Sequence, residues 1–352
     1  MKVKSLLRVV AILSVAVSFI SCAGGEVYSV KRIWGGEKYC AFTSLVENDG
    51  VYYCSFREGE NHYDSSGKTV GSVRVIISRD GNEWESAALF SKEGYDLRDP
   101  HMCVMKDGTL MMIMAACRYS EGSLMECIPM VSFCSDGKDF SSPEPVVFKD
   151  SLSHGFDWLW DIKWKDDAGW SASYGNDVDG RFLRLYKTSD GRSFELVADL
   201  GADIGVEEFP NEVAVEFLPD GRMALIVRSD EGSRRGWWGT AEAPYTEWKW
   251  KRLLYSVGGP DFVPYGDGII AVSRLYVSFN NKTAVFLGDC DGNLDTKLLL
   301  PSGGDTSYPG MILKDKELWV SYYSGHEAVT PPYYPSIYLA KIPLKVLTEA
   351  IP

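Results

Sequence analysis

A short turn motif recurs along this chain at an almost constant interval, and this recurrence limits the possible folds more than any other feature. The aromatic residues that end its copies stand at positions 84, 140, 194 and 248, at intervals of 56, 54 and 54 residues. In each full copy Asp can accept backbone N–H bonds and Gly can adopt a positive φ, as in a β-hairpin turn. Such a period predicts a repeat fold built from small β units. The copies are residues 78–84 (SRDGNEW), 135–140 (SDGKDF), 188–194 (TSDGRSF) and the degenerate 245–248 (YTEW).

A second series of turns alternates with the first. Six Asp-Gly or similar turns, 47 to 60 residues apart, separate apolar runs of alternating pattern. A β-sandwich with many such turns is the alternative, but two interleaved series in phase favour a propeller. We therefore predict an all-β fold, a six-bladed β-propeller of four-stranded antiparallel blades. The turns of this series are residues 48–50, 106–108, 166–169, 219–221, 266–268 and 314–316.

The N-terminal segment predicts export. Lys2 and Lys4 precede an apolar run of signal-peptide length, and Ser21-Cys22 is followed by small residues. This arrangement resembles a bacterial lipoprotein signal, which implies lipidation of Cys22 and a location in the periplasm or on the outer membrane of a Gram-negative bacterium. Ordinary secretion is the alternative. We expect residues 1–21 to be the signal peptide and residues 22–352 to form one propeller, closed by pairing of residues 27–33 with residues 337–342.

The charge balance limits the partners. The formal net charge is −13, and removal of Lys2, Lys4 and Arg8 with the signal peptide leaves −16. Such a surface disfavours nucleic acid and anionic membranes, so we expect contact with a membrane only through the lipid anchor. Without Cys-x-x-Cys or His-rich spacing, no metal or other cofactor is expected. We expect a monomer whose partner is a glycan.

Arginines, acids and aromatic residues concentrate at one end of the predicted propeller. In each blade, strand 1 runs from the mouth of a central funnel to its base, so residues before strand 1 and after strand 2 lie at the mouth. Arginine binds a ligand carboxylate in a bidentate manner, and aromatic faces suit sugar rings. Alternatively, these arginines pair with nearby acids and only fasten the blades. The candidate binding residues are Arg57, His62, Arg98, Trp160, Arg228, Asp261, Arg274 and His326.

The turn motif and the mouth residues together resemble the sialidase (neuraminidase) superfamily of Asp-box, or BNR-repeat, propellers. Glu212 and Arg228 match the family's glutamate and arginine on successive strands, and Tyr308 matches its nucleophilic tyrosine. The resemblance implies a retaining glycoside hydrolase acting on an acidic sugar, with Tyr308 as nucleophile and Glu212 as its base. Asp99 is our candidate for the acid/base, with Asp261 as the alternative. We expect the Tyr308 hydroxyl to lie within hydrogen-bond reach of Glu212, flanked by Arg228 and Arg274.

Two departures keep other functions open. The family's Phe-Arg-Ile-Pro has no counterpart, because residues 41–44 read AFTS. An incomplete arginine set argues against sialic acid itself and leaves an acidic or another sugar open. Arg98-Asp99-Pro100 and Glu208-Phe209-Pro210 resemble motifs of five-bladed furanosidases, although six hairpins argue against five blades. A glycan-binding propeller without catalysis is the third possibility.

The lipid anchor can be tested at Cys22. Cys22→Ala should abolish membrane association of the processed protein, because the acyl chains that hold a lipoprotein are attached to this thiol. Detergent phase partitioning of the processed proteins measures the effect, with Cys290→Ala as the control that keeps its anchor. Processed Cys22→Ala protein that stays with the membrane would contradict lipidation at this residue.

Overall fold

The computed structural model describes residues 17–21, 27–62, 70–152, 154–277 and 280–349. The fold is all-β, with 62% of the residues in strands and 4% in helices. The two α-helices have four residues each, so no helix in the described part of the chain is long enough to cross a membrane. Cys22 and residues 1–16 lie outside the described residues.

The described residues form a succession of 26 short strands with three helical turns. In chain order the strands are β1 Val17–Ser21, β2 Val27–Trp34, β3 Tyr39–Asn48, β4 Val51–Gly59, β5 Ser72–Ser78, β6 Glu85–Phe90, β7 Asp96–Val104, β8 Leu110–Ser120, β9 Ser123–Cys134, β10 Glu144–Pro145, β11 Val147–Phe148, β12 Phe156–Lys165, β13 Ala168–Asp177, β14 Gly180–Thr188, β15 Ser193–Asp199, β16 Pro210–Phe217, β17 Met223–Ser229, β18 Trp237–Ala241, β19 Lys249–Arg252, β20 Val257–Tyr265, β21 Gly268–Leu275, β22 Lys282–Asp289, β23 Leu294–Leu300, β24 Thr306–Lys314, β25 Glu317–Ser324 and β26 Ser336–Pro343. The helical turns are α1 Gly201–Ile204, a 3₁₀ turn Val206–Glu208 and α2 Lys345–Thr348.

The strands form five sheets in a propeller arrangement, so the predicted all-β propeller class is confirmed. Three sheets have four strands, in the orders β3-β4-β5-β6, β16-β17-β18-β19 and β20-β21-β22-β23, and a fourth has the order β1-β2-β26-β25-β24. These four are separate blades, fewer than the six predicted. The remaining strands, β7 to β15, make one nine-stranded sheet, because β12 pairs with β9 at Phe156 and Cys127.

The inner strands surround a common axis. β3, β7, β12, β16, β20 and β24 each contact the next in this order, and β24 contacts β3. Apolar side chains fill the space between neighbouring sheets: Trp238 of β18 meets Phe262 of β20 edge to face, with ring centroids 5.5 Å apart. Both rings are buried. Burying such large rings is the main stabilising contribution to packing one blade on the next.

The two ends of the chain close the ring. β2 pairs with β26 in antiparallel register, with Val30 opposite Ala340, as predicted. β1 in turn pairs with the free edge of β2, although residues 17–21 belong to the predicted signal peptide. An edge strand has unpaired N–H and C=O groups, and pairing with β1 satisfies those along the edge of β2.

The turns between the outer strands share one hydrogen-bond pattern. Oδ1 of Asp80 accepts the backbone N–H groups of the second and third residues after it, at 2.8 and 3.0 Å, and Asp136 and Asp190 do the same. The glycine after each has a φ near 70°, for example 67° at Gly81. The turn chemistry expected from the sequence is thus confirmed. A further turn of this kind at Asp289 was missed, because its glycine follows three residues later instead of directly.

The closure of the ring can be tested at Ile337. Ile337→Ala should lower the free energy of unfolding by about 2–5 kcal/mol, because its side chain is fully buried in the cluster that joins β2, β3 and β26. Urea denaturation measures this difference. The control Val329→Ala, at a site 82% exposed, should stay within about 0.5 kcal/mol of wild type. Equal effects of the two substitutions would show that this cluster does not hold the ends together.

Candidate functional site

Each inner strand loses its pairing register at the same level along the axis. The shift falls between Ala41 and Ser44 in β3, and every other inner strand has its counterpart. A bulge of this kind leaves a residue unpaired and redirects its side chain. The residues at the six bulges are Phe42, Asp99, Trp160, Glu212, Gly259 and Tyr308.

Most of the bulges hold the backbone in the left-handed region. The φ angles are 61° at Phe42, 46° at Asp99, 44° at Glu212, 51° at Gly259 and 49° at Tyr308. For residues other than glycine, this conformation costs about 1–2 kcal/mol each. Strain of this kind persists where the surrounding fold imposes it, and it is concentrated at functional sites. Two of the three predicted catalytic residues are therefore carboxylic acids in strained positions, and the third is a strained tyrosine.

Tyr308 of β24 and Glu212 of β16 meet beside Gly259 of β20, the strand between them. The Tyr308 hydroxyl donates a hydrogen bond of 2.7 Å to Glu212 Oε1, so the predicted contact is present. Arg228 Nη1 donates to the same carboxylate oxygen at 2.5 Å and to the Tyr308 oxygen at 3.0 Å. The backbone N–H of Gly259 donates to Glu212 Oε2 at 2.7 Å. A side chain at Gly259 would collide with the Tyr308 ring, since a Cβ there would lie 2.4 Å from its Cγ.

This arrangement separates the protonation states of the pair. Burial opposes ionisation of Glu212, but Arg228 and the hydrogen bonds to the carboxylate hold its pKa below the usual value. Burial and the nearby Glu212 charge raise the pKa of Tyr308 well above 10, against the influence of Arg228 and Arg274. At neutral pH the pair is therefore a phenol that donates to a carboxylate.

Asp99 has a different environment from Glu212. Its side chain is buried, its Oδ1 has no hydrogen-bond partner, and its Oδ2 lies 4.0 Å from Arg98 Nε. Burial raises the pKa of Asp99 to about 7, since the Glu212 charge adds to it and Arg98 only partly opposes it. Asp99 can thus hold a proton at neutral pH, as a general acid must.

A second cluster surrounds Asp305, next to Tyr308. Arg274 Nη2 donates to Asp305 Oδ1 at 2.7 Å and to the Tyr323 hydroxyl oxygen at 2.7 Å, and its guanidinium lies 4.8 Å from the Tyr308 ring centroid. His62 Nδ1 lies 2.6 Å from Asp305 Oδ2. Burial opposes ionisation of Asp305, but His62 and Arg274 hold its pKa well below the usual range.

Aromatic rings lie on the side of Tyr308 and Glu212 away from the Asp305 cluster. Trp160 is buried, with its ring centroid 5.7 Å from that of Tyr308. Trp158 and Tyr174 stack nearly parallel, with centroids 5.9 Å apart. They line a cavity of about 400 Å³ that reaches Glu212. The cavity is bounded by Leu124, Phe156, Trp158, Tyr174, Gly175, Asn176, Arg181, Phe209, Asn211, Glu212 and Asp230.

Two of the predicted binding arginines do not face this space. Arg57 is 2% exposed and donates to both carboxylate oxygens of Asp96, at 2.7 and 2.9 Å. Arg98 donates to Asp96 and to the backbone carbonyl of His62, and its guanidinium lies 4.9 Å from the Phe42 ring centroid. Both arginines therefore pair with acids of the protein and fasten the blades, which is the alternative role given above for these residues.

Three further acids and bases lie apart from Tyr308. Asp261 lies 3.5 Å from Lys163, in a channel on the base side of the bulges, so it is no alternative to Asp99. His326 packs on Tyr338, with ring centroids 4.4 Å apart, at the outer part of its blade. Glu208, which the furanosidase reading requires, is held by Arg252 at 2.9 Å. The one extra residue at each bulge explains the misplacement of Asp261, because it reverses the direction in which later residues of the strand point.

Four residues that contact this cluster were not among the candidate site residues: Asp305, Phe42, Tyr39 and Tyr323, although Asp305 and Tyr323 were placed at the mouth. Asp305 stands directly before β24, in a position where an acid would have been a recognisable signal. Tyr39 donates to Asp305 from the start of β3, and Phe42 packs 5.1 Å from Tyr308. No sequence signal distinguishes Tyr323 from the other tyrosines. In the described residues no three His, Cys, Asp or Glu side chains are placed to hold a metal ion.

Comparison with known proteins finds similarity of fold at low sequence identity. A protein of unknown function from Dyadobacter fermentans superposes with a TM-score of 0.74 at 15% identity, over 89% of this chain and 98% of that one. Trypanosoma rangeli sialidase in complex with sialic acid superposes with a TM-score of 0.65 at 12% identity, over 93% of this chain and 57% of that one. Hadza microbial sialidase Hz136 superposes with a TM-score of 0.63 at 15% identity, over 88% of this chain and 66% of that one. No family model and no curated protein sequence matches the chain. The chain therefore has the propeller fold of sialidases and spans about three fifths of their length.

The protonation of Asp99 predicts a pH dependence of stability. Because its pKa is about 7 in the folded protein and about 3.9 when unfolded, the proton stabilises the fold fully at low pH, and this contribution is lost as pH rises through 7. Asp99→Asn should reduce the fall in unfolding free energy between pH 6 and pH 8 by about 1.4 kcal/mol. Urea titrations at both pH values measure this, with the exposed Asp295→Asn as control. Identical profiles for wild type and Asp99→Asn would contradict the raised pKa.

Proposed function

We propose that this protein is a glycoside hydrolase that cleaves a glycan by a retaining, sialidase-like mechanism with Tyr308 as nucleophile. One observation carries the proposal: a buried tyrosine hydroxyl donates to an ionised glutamate at 2.7 Å, at strained bulges on the axis of the propeller. A hydrogen bond that only tied two blades would not require both partners in the left-handed region.

The first step would join Tyr308 to the sugar. The phenol oxygen attacks the anomeric carbon as its proton passes to Glu212, which is the nearest base. The bond from the anomeric carbon to the leaving oxygen breaks, and that oxygen receives the proton of Asp99. Arg228 donates to the attacking oxygen at 3.0 Å and favours the negative charge that develops there.

The second step would release the sugar with its original configuration. Asp99, now a carboxylate, takes a proton from water, and the water oxygen attacks the anomeric carbon. The bond to the Tyr308 oxygen breaks, and Glu212 returns the proton to that oxygen. Two displacements at one carbon give net retention. Trp158 and Tyr174 are suited to hold the sugar ring against their faces.

We further propose that the propeller has six blades. The nine-stranded sheet contains two meanders, β7-β8-β9 and β12-β13-β14-β15, joined by a single residue pair at Phe156 and Cys127. Each of these meanders has its own inner strand and its own bulge, as every other blade has. The sialidase resemblance and the N-terminal sequence support a monomeric, exported lipoprotein with a lipid on Cys22.

Tyr308→Phe tests the mechanism. The substitution keeps the ring and removes the nucleophilic oxygen, so kcat should fall by at least about 10³-fold on whichever nitrophenyl glycoside of a test panel is cleaved. Release of nitrophenol measures turnover, and a thermal melt checks folding. Tyr333→Phe, at a site 58% exposed, should leave turnover unchanged.

The outcome separates the three candidate functions. Near-normal turnover by Tyr308→Phe would reject the tyrosine mechanism, and an inverted product in proton NMR would reject retention. Glycan binding by wild type without any cleavage would identify a binding propeller instead. Mass spectrometry of an arrested reaction with a fluorinated glycoside should find the sugar on Tyr308.

A further inference from the structure

The two arginines beside Tyr308 are already paired with carboxylates of the protein. Arg228 donates from Nε to Asp230 at 2.9 Å and from Nη1 to Glu212 at 2.5 Å. Arg274 donates to Asp305 at 2.7 Å and to the backbone carbonyl of Thr306 at 2.9 Å. Neither guanidinium therefore presents an uncompensated charge to a ligand.

Asp305 is fixed in place by donors on both of its oxygens. Arg274 and the Tyr323 hydroxyl donate to Oδ1 at 2.7 and 2.9 Å. The Tyr39 hydroxyl donates to Oδ2, and His62 Nδ1 lies 2.6 Å from the same oxygen. Charge-assisted bonds of this kind are the strong ones, so a ligand carboxylate would have to displace an anion that the fold holds from several sides.

The buried charges of Arg57, Arg98 and Asp96 do not leave an excess of positive charge for a ligand. Around the funnel floor four guanidinium groups stand against five carboxyl groups, so, His62 aside, the arginines balance the acids when Asp99 is protonated and are outnumbered when it is ionised. Like charges in such a partly buried site disfavour a further anion. The groups counted are Arg57, Arg98, Arg228 and Arg274 with Asp96, Asp99, Glu212, Asp230 and Asp305.

An apolar ring occupies the remaining side. Phe42, at the bulge of β3, lies 5.1 Å from Tyr308, 5.3 Å from His62 and 5.6 Å from Tyr323, measured between ring centroids. It stands where the family motif Phe-Arg-Ile-Pro would supply an arginine. This side of the site thus offers a hydrocarbon surface in place of a cation.

We propose that the sugar unit bound beside Tyr308 is neutral, and that Asp305 fills the position which a ligand carboxylate would take on Arg274. This inference rests on the proposed glycosidase function and corrects the acidic sugar expected from the resemblance. Ionised carboxylates accept hydrogen bonds from sugar hydroxyls, while Phe42 and the Trp158–Tyr174 wall contact the apolar faces of the ring.

Two measurements on wild type and Asp305→Asn test the inference. In the first, hydrolysis of neutral methylumbelliferyl glycosides is compared with that of methylumbelliferyl sialic acid, and wild type should cleave only a neutral one. In the second, binding of free N-acetylneuraminic acid is measured by calorimetry. Wild type should show no saturable binding at millimolar concentrations, whereas Asp305→Asn should bind at least about tenfold tighter, because Arg274 loses its carboxylate partner. Asp295→Asn makes the same charge change at a site away from the funnel.

The outcomes distinguish this inference from the proposed function. Cleavage of the sialyl glycoside by wild type would overturn the neutral sugar and leave the glycosidase mechanism standing. Absence of cleavage of every glycoside would count against the mechanism, while the binding measurement still decides the inference. Binding of the acid by wild type, or by neither variant, would overturn the role of Asp305.

Discussion

The bulge that interrupts each inner strand is the constraint on which the site depends. In a regular strand alternate side chains point to opposite faces of the sheet, and both faces here pack against neighbouring sheets. The bulge releases one residue per strand from this alternation and directs it to the axis. Glu212 and Tyr308 can meet only because both strands break at the same level. Gly259 then admits the Tyr308 ring and supplies an N–H to the carboxylate.

The same burial gives two carboxyl groups opposite properties. Glu212 receives hydrogen bonds from Arg228, Tyr308 and a backbone N–H, and its pKa is held below the usual value. Asp99 has an oxygen without a partner and only a distant arginine, and its pKa rises to about 7. The charge of Arg228 and the hydrogen bonds to Glu212, rather than depth, decide the difference. Separation of two acids in this way is how one site obtains both a base and an acid at neutral pH.

The sequence predicted the elements that depend on local chemistry. Asp80 and its equivalents could be placed at turns because a carboxylate and a following glycine define the turn by themselves. The pairing of Tyr308 with Glu212 was implied by the resemblance to sialidases and by the convergence of strand starts on the axis. The sequence did not predict that β7 to β15 form one sheet, because the pairing of Phe156 with Cys127 that joins them depends on tertiary packing. Asp261 was misplaced for a related reason: a bulge shifts the facing of every later residue, and the sequence does not mark where it occurs.

The residues that follow the bulges show why the negative charge of Glu212 must be compensated by an arginine of the funnel itself. Lys163 lies within 3.9 Å of Asp161 and 3.5 Å of Asp261, on the base side. Burial lowers the pKa of His101 to about 4, so its imidazole is neutral where it lies against Trp160, with ring centroids 5.2 Å apart. The charge of Lys163 is thus compensated by Asp161 and Asp261 on the base side, and the neutral His101 adds no positive charge near Glu212. Compensation for Glu212 has to come from Arg228 on the adjacent strand, so the arginine that holds the base is also the one nearest to the nucleophile.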